Sequence, residues 1–270
     1  MSYRFPLALA LALIFVTHAL AQAPTYSRTP GETLRYRITT ESESTSFTET
    51  SAFDRMFDRE LTVAVTFTPS DTVEAVVEAF TLESGDPRSP ESYDMLADTE
   101  GHHRFILAAD SMGQMIEHPT MTRSQPVMGG HIGDQFNYFF PHLPSEPLAP
   151  GVSWTWNRNI AQDKGGTRTD DLTYTAVEES TREGYTVIVI EMEGTSVTKG
   201  LFETSTGNEV DMDTQDTHTG TYYFAVDEGR IVGFERTTKT KSYSEIKMAG
   251  RTMTSDREAT TTTKARLLER

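Results

Sequence analysis

The chain has 270 residues, 40 of them Asp or Glu against 24 Lys or Arg, so its formal net charge is −16. Such an acidic balance works against nucleic-acid phosphates and anionic lipid surfaces, which both require basic neutralising patches, and points first to solubility. There is no cysteine, which excludes disulfides, thiolate catalysis and lipid attachment at a cysteine, and leaves stability to burial and sheet hydrogen bonds.

The chain opens with Arg4 as a short positive region, an apolar run from Leu7 to Val16, and Ala19-Leu20-Ala21 as an A-x-A cleavage site. This is the pattern of a secretory signal peptide over residues 1–21, and the apolar run is shorter than the roughly 20 residues that span a bilayer. Export to the periplasm or the medium is therefore expected, with no stable membrane insertion after cleavage. Removing Arg4 takes the net charge from −16 to −17. A polar linker occupies 22–30.

From residue 31 onward, period two dominates. Leu34, Tyr36 and Ile38 alternate with Arg35, Arg37 and Thr39, and Trp154 and Trp156 share a face opposite Thr155 and Asn157. Side chains of a strand point alternately to its two faces, so each run buries one face and solvates the other. Threonine suits such extended, solvated positions. The pattern predicts a first meander over 31–118, with strands near 33–49, 59–68, 73–83, 103–110 and 114–118. A second, over 151–270, has strands near 152–162, 168–179, 185–193, 196–206, 209–226, 230–245 and 252–267. Turn residues such as Glu183-Gly184 and Glu228-Gly229 separate them. Helix is scarce. Ser89-Pro90-Glu91 starts one near 90–99, and a second is expected near 133–140.

The two halves repeat each other. Gly31 and Gly151 open matched strands, and Asp110 and Asp227 follow them by 79 and 76 positions in matched strand–Asp–turn–Gly–strand segments. Turn chemistry accounts for both acids. Between the halves, residues 119–150 hold six of the twelve prolines, too many for a central strand. This connector also carries Ile132, Phe136, Tyr138, Phe139 and Phe140, so it should pack across the sheets. Strands longer than the usual 5–6 residues must twist and coil. The expected fold is all-β: two tandem antiparallel meanders forming curved sheets or open half-barrels.

Candidate sites are few. Phe136, Tyr138, Phe139 and Phe140, with Trp154 and Trp156, are the candidate ligand contacts, either lining the concave side of a curved sheet for an apolar molecule or simply plugging it as core. Asp94, Asp98, Glu100, His102 and His103 have the composition of a metal site but no motif spacing. Asp211, Asp213 and Asp216 fail the calcium-loop pattern, which needs Gly at the sixth place and Glu at the twelfth. His118, His131, His142 and His218 read as surface or linker residues. No G-x-S-x-G motif is present, and no metal, cofactor or catalytic residue is assigned.

The repeated strand–Asp–turn–Gly–strand segments, Gly151-Val152-Ser153-Trp154 and the hairpin Met248-Ala249-Gly250-Arg251-Thr252-Met253 resemble uncharacterised families of exported bacterial proteins built from repeated antiparallel sheet. More distantly they are similar to periplasmic half-barrel carriers of lipids and lipidated proteins, from which this chain departs in its duplicated layout. The resemblance implies a fold and an envelope location, with no site residue. Two roles follow as expectations: a non-enzymatic module that binds an apolar or amphipathic ligand, or a structural or protein-interaction component of the envelope that uses its strand edges.

Overall fold

The computed structural model describes residues 23–27, 29–68, 72–84, 104–108, 120–123, 136–161, 165–203, 209–248 and 251–269. The signal segment, the helix expected near 90–99, the strand expected near 114–118, the Asp94–His103 cluster, Asp110, His118 and His131 lie outside these residues.

The first half contributes β1 (Thr33–Thr48), β2 (Ala52–Phe67), β3 (Thr72–Ser84), β4 (Arg104–Ala108) and β5 (Thr120–Arg123). From the second half come β6 (Ser153–Ala161), β7 (Thr167–Arg182), β8 (Tyr185–Glu203), β9 (Glu209–Ala225), β10 (Arg230–Met248) and β11 (Arg251–Glu269). All eleven form one sheet in the order β5-β4-β3-β2-β1-β11-β10-β9-β8-β7-β6. Each half is a meander, and the two fuse where β1 pairs antiparallel with β11, from Arg35 opposite Glu269 to Thr48 opposite Ser255. The sheet is open, with β5 and β6 at its edges. Register shifts between Arg35 and Tyr36, Thr62 and Val63, Ala176 and Glu178, and Ile231 and Gly233 add local bend and twist.

Three expectations change. The strands expected at 185–193 and 196–206 are one strand, β8. Gly194 does not turn the chain there. A Cβ on it would lie 2.2 Å from the carbonyl oxygen of Asp171, so glycine is required by close approach of β7. The described part of the helix expected near 133–140 is a single turn, closed by Phe139 N–H donating to the carbonyl of Phe136 at 3.1 Å. β5 also falls inside the span assigned to the connector.

The strand openings at Gly31 and Gly151 share a backbone pattern. Gly31 N–H donates to the carbonyl of Phe67 at 3.1 Å, and Phe67 N–H donates back to Glu32. Gly151 N–H donates to the carbonyl of Ala176 at 2.7 Å, and Ala176 N–H donates back to Val152. Both glycines have positive φ, 83° and 91°, a conformation that costs residues with a Cβ.

One face of every long strand forms the concavity. Its first layer is apolar: Leu34, Tyr36 and Ile38 of β1, Leu61, Val63 and Val65 of β2, Leu172 and Tyr174 of β7, Ile188 and Ile190 of β8, Tyr222 and Phe224 of β9, and Phe234 of β10 are all buried in one cluster. Topology explains what covers it. The connector joins β5 at one edge to β6 at the other, and its described part, residues 136–150, packs on the concave face. Phe139 packs edge-on against Tyr36 of β1 and Phe234 of β10, while Trp154 Nε1 of β6 donates to the carbonyl of His142 at 2.8 Å. The N-terminal segment joins in. Tyr26 hydroxyl donates to the Pro141 carbonyl at 2.7 Å.

Candidate ligand-binding site

The connector fills only the apolar part of the concavity. Phe136, Phe139 and Tyr138 are buried and Phe140 is half-buried, so this aromatic cluster is packed as core. Trp154 stacks on Tyr174, and Trp156 on His142. Tyr138 also borders the cavity that lies beyond the plug. Its backbone has φ 62°, a strained conformation for a bulky residue, and its partners over-determine it.

The hydroxyl of Tyr138 donates to Asp170 Oδ1 at 2.6 Å and lies 2.8 Å from Ser196 Oγ. Its carbonyl accepts from the Tyr222 hydroxyl at 2.7 Å. The guanidinium carbons of Arg158, Arg168 and Arg236 lie 5.8, 5.4 and 5.3 Å from its ring centroid, where the negative face of the ring attracts cations. Burial, outweighing the favourable charge of Arg168, raises the Tyr138 pKa, so the phenol remains a donor.

Asp170 is fully buried. Arg158 Nη2 reaches its Oδ2 at 2.6 Å and Arg168 Nε its Oδ1 at 2.9 Å. Burial acts to raise its pKa, but Arg168 and Arg158 together outweigh that effect and hold it down at about 2. From here a polar row runs across the sheet. Ser196 Oγ on β8 lies 2.8 Å from Nε2 of His218 on β9, whose Nδ1 lies 3.1 Å from Thr238 Oγ1 on β10. His218 is 2% exposed, which corrects its reading as a surface or linker residue: position 218 has the same strand parity as buried Tyr222 and Phe224. Burial first, then Arg236 and Arg168, lower its pKa to about 3, so the imidazole is neutral at physiological pH.

Beyond Tyr138 lies a cavity of about 360 Å³, at the lower end of small-molecule sites, roughly 300–1,000 Å³. Arg59, Arg168, Arg236 and Arg257 border it, with Asp216, His218 and hydroxyl residues that include Thr40, Ser42, Thr238, Thr261 and Thr263. Strand register places these in neighbouring rows: Thr40 faces Arg59, Ser42 faces Thr261, and Thr261 faces Thr238. Asp216 accepts from Thr240 Oγ1 at 2.7 Å and lies 3.7 Å from Arg168. Asp213 instead pairs with Lys199 at 2.9 Å. The aspartates of β9 are therefore divided between faces, and no group of three metal-ligating residues occurs among the described residues.

Toward the strand tips the inner face turns apolar again. Phe57, Phe202 and Met212 border the cavity. Further out, Phe202 is in register with Val210, Val210 with Ile246, and Ile246 with Met253. All four have the parity of the cavity-lining residues of their strands. The concavity thus has three layers: a filled apolar floor, an open polar band rich in arginine, and a partly exposed apolar lip.

No helix among the described residues is long and apolar enough to cross a membrane. No protein-family model matches the chain, and no curated protein matches it. Among solved structures it is similar to lipovitellin, in a structure concerned with lipid–protein interactions, at 9% identity and TM-score 0.46 over 90% of this chain and 26% of that one. It is also similar to OccK2 (OpdF) of Pseudomonas aeruginosa, at 8% identity and TM-score 0.28 over 88% of this chain and 98% of that one. A mutant porin of Rh. blastica matches at 8% identity and TM-score 0.23, over 87% of this chain and 100% of the porin. The chain spans about a quarter of the lipovitellin chain it matches. Likeness at these scores assigns no family and no site.

Proposed function

We propose that the protein is an exported, non-catalytic binding module that holds a small amphipathic molecule on the concave face of its sheet, outside the aromatic plug. One observation carries this reading: the polar cavity is bordered by Phe57, Phe202 and Met212, and strand register continues Phe202 into Val210, Ile246 and Met253. A molecule with a polar end and an apolar end matches both layers at once, whereas a purely apolar ligand would leave the arginines and hydroxyls of the band desolvated and unmatched. The floor, where an apolar ligand would otherwise sit, is occupied by Phe136 and Phe139.

Native mass spectrometry of protein purified from its source tests the proposal, together with displacement of a fluorescent fatty-acid probe. A bound small molecule, or displacement by amphiphiles, is the expected result. A protein that is empty and binds no amphiphile overturns it.

A second reading, as an envelope interaction component, draws on the open edge at β6 (Ser153–Ala161), which pairs only with β7 among the described residues. Site-directed crosslinking from the exposed position Asn157 in envelope extracts tests it, and absence of any crosslinked partner counts against it.

A further inference from the structure

We infer that the polar band recognises an anionic group, so that the ligand is an amphiphile whose head is a carboxylate, phosphate or sulfate. The inference rests on the binding role proposed above and adds the sign of the ligand's charge.

The chain is strongly acidic, with 40 Asp and Glu against 24 Lys and Arg, yet the cavity reverses that balance. Four arginines border it and one carboxylate, Asp216. The other acid nearby, Asp170, already accepts from Arg158, Arg168 and Tyr138. An arginine-rich concavity in an acidic protein is a local arrangement, opposite to what composition alone would place there.

Arg236 is the sharpest case. It is 6% exposed. Its Nη1 donates to the Asn137 carbonyl at 2.6 Å, and its guanidinium lies over the rings of Tyr138 and Phe234. No carboxylate pairs with it among the described residues. Dipoles and ring faces offset part of the desolvation of a buried cation, but a full counter-charge is what a buried guanidinium needs. Across the cavity, Arg59 is 8% exposed and sits three strands away on β2. An anion between Arg59 and Arg236 would meet two guanidinium forks, which suit oxyanion geometry, with the hydroxyls of Thr40, Thr238 and Thr263 as further donors. Nearer the lip, Arg257 has its pKa lowered, first by partial desolvation and then by repulsion from Arg55, with Asp216 opposing. Positive charge is in excess there too.

The geometry also sets the ligand's orientation. Tyr138 and the plug close the band on the inner side, so the anionic head would lie against Arg59 and Arg236 while the chain runs outward along Phe57, Met212 and Phe202.

The test is titration of the full-length secreted protein with dodecanoate, dodecyl phosphate, dodecanol and inorganic phosphate at neutral pH, followed by calorimetry and probe displacement. The anionic amphiphiles should bind about ten-fold or more tightly than dodecanol, and rising salt should narrow that gap. Arg236→Gln and the exposed-rim variant Arg257→Gln should each weaken dodecanoate while leaving dodecanol within about two-fold. Because Arg257 is exposed, its replacement keeps the test valid even where loss of Arg236 disturbs folding. Which head wins, carboxylate or phosphate, identifies the source chemistry. Equal binding of dodecanol, or an anion preference unchanged in both variants, overturns the anion site while leaving amphiphile binding intact. Binding of inorganic phosphate with no gain from the alkyl chain supports the anion site and overturns the amphiphile reading. Absence of all binding overturns both.

Discussion

Tyr138 and Asp170 join the connector to the wall of the sheet: the phenol, on a segment that belongs to no strand, donates at 2.6 Å to a fully buried carboxylate on β7. Two arginines converge on the same carboxylate, so the two partners are not equivalent. Tyr138→Phe removes one donor and should cost about 1–2 kcal/mol. Asp170→Asn leaves Arg158 and Arg168 buried without their shared counter-charge and should cost about 3–5 kcal/mol. Denaturant midpoints of the two variants check the order; a tyrosine variant weaker than the aspartate variant contradicts it.

Acid should destabilise the protein through His218. Its folded pKa is about 3 against about 6.5 in an unfolded chain, so the unfolded state takes up a proton that the folded state refuses. The groups that face the ring electrostatically are Arg236, Arg168 and Asp170. Stability should fall as pH drops from about 6.5 toward 3. Asp170 acts lower, its contribution being present above about 3.8 and lost as pH falls toward 2. His218→Gln, able to bond Ser196 and Thr238 without titrating, should flatten the stability profile between pH 6.5 and 4. An unchanged slope would count against this account.

The repeated strand openings predict matched substitution costs. An added Cβ at Gly31 or Gly151 meets nothing within 4 Å, so alanine there pays only for its left-handed backbone, about 1 kcal/mol. The two effects should be similar and additive, since the sites belong to distant hairpins. Thermal melts of the single and double variants measure both statements.

The plug should be a main contributor to stability. Phe139→Ala removes a fully buried ring that contacts Tyr36, Phe136, Phe140 and Phe234 and should cost about 3–5 kcal/mol. The cavity created would be apolar and continuous with the floor. The variant should therefore gain affinity for a small aromatic such as benzene, detectable by calorimetry.

Most of the strands were legible because period-two alternation and turn glycines are local signals, as at Leu34-Tyr36-Ile38 and Glu183-Gly184. The seam between β1 and β11 was not, since nothing near Ile38 announces that Ala265 lies opposite it. Nor was the polar band, although a usable signal existed. Continuing the buried parity outward from Tyr36 and Ile38 reaches Thr40 and Ser42, from Leu61 it reaches Arg59, from Phe234 it reaches Arg236, and from Tyr222 it reaches His218 and Asp216. Each polar residue shares a face with core, so the site was written as polar interruptions of an apolar stripe. The aromatic segment 136–140 is the more conspicuous feature by composition. Its side chains mostly fill the floor beneath the cavity.

Because β1 and β11 are hydrogen-bonded neighbours in the middle of the sheet, its centre is built from segments more than two hundred residues apart, as with Thr40 opposite Thr263. During synthesis the first meander must wait with β1 as a bare edge until β11 emerges, an interval in which it is open to pairing with a foreign strand. High sequence separation also slows folding. Shielding the edge of β1 until β11 arrives would relieve the first difficulty, and a chain cut short before β11 would expose two unpaired edges where the sheet otherwise has a continuous ladder.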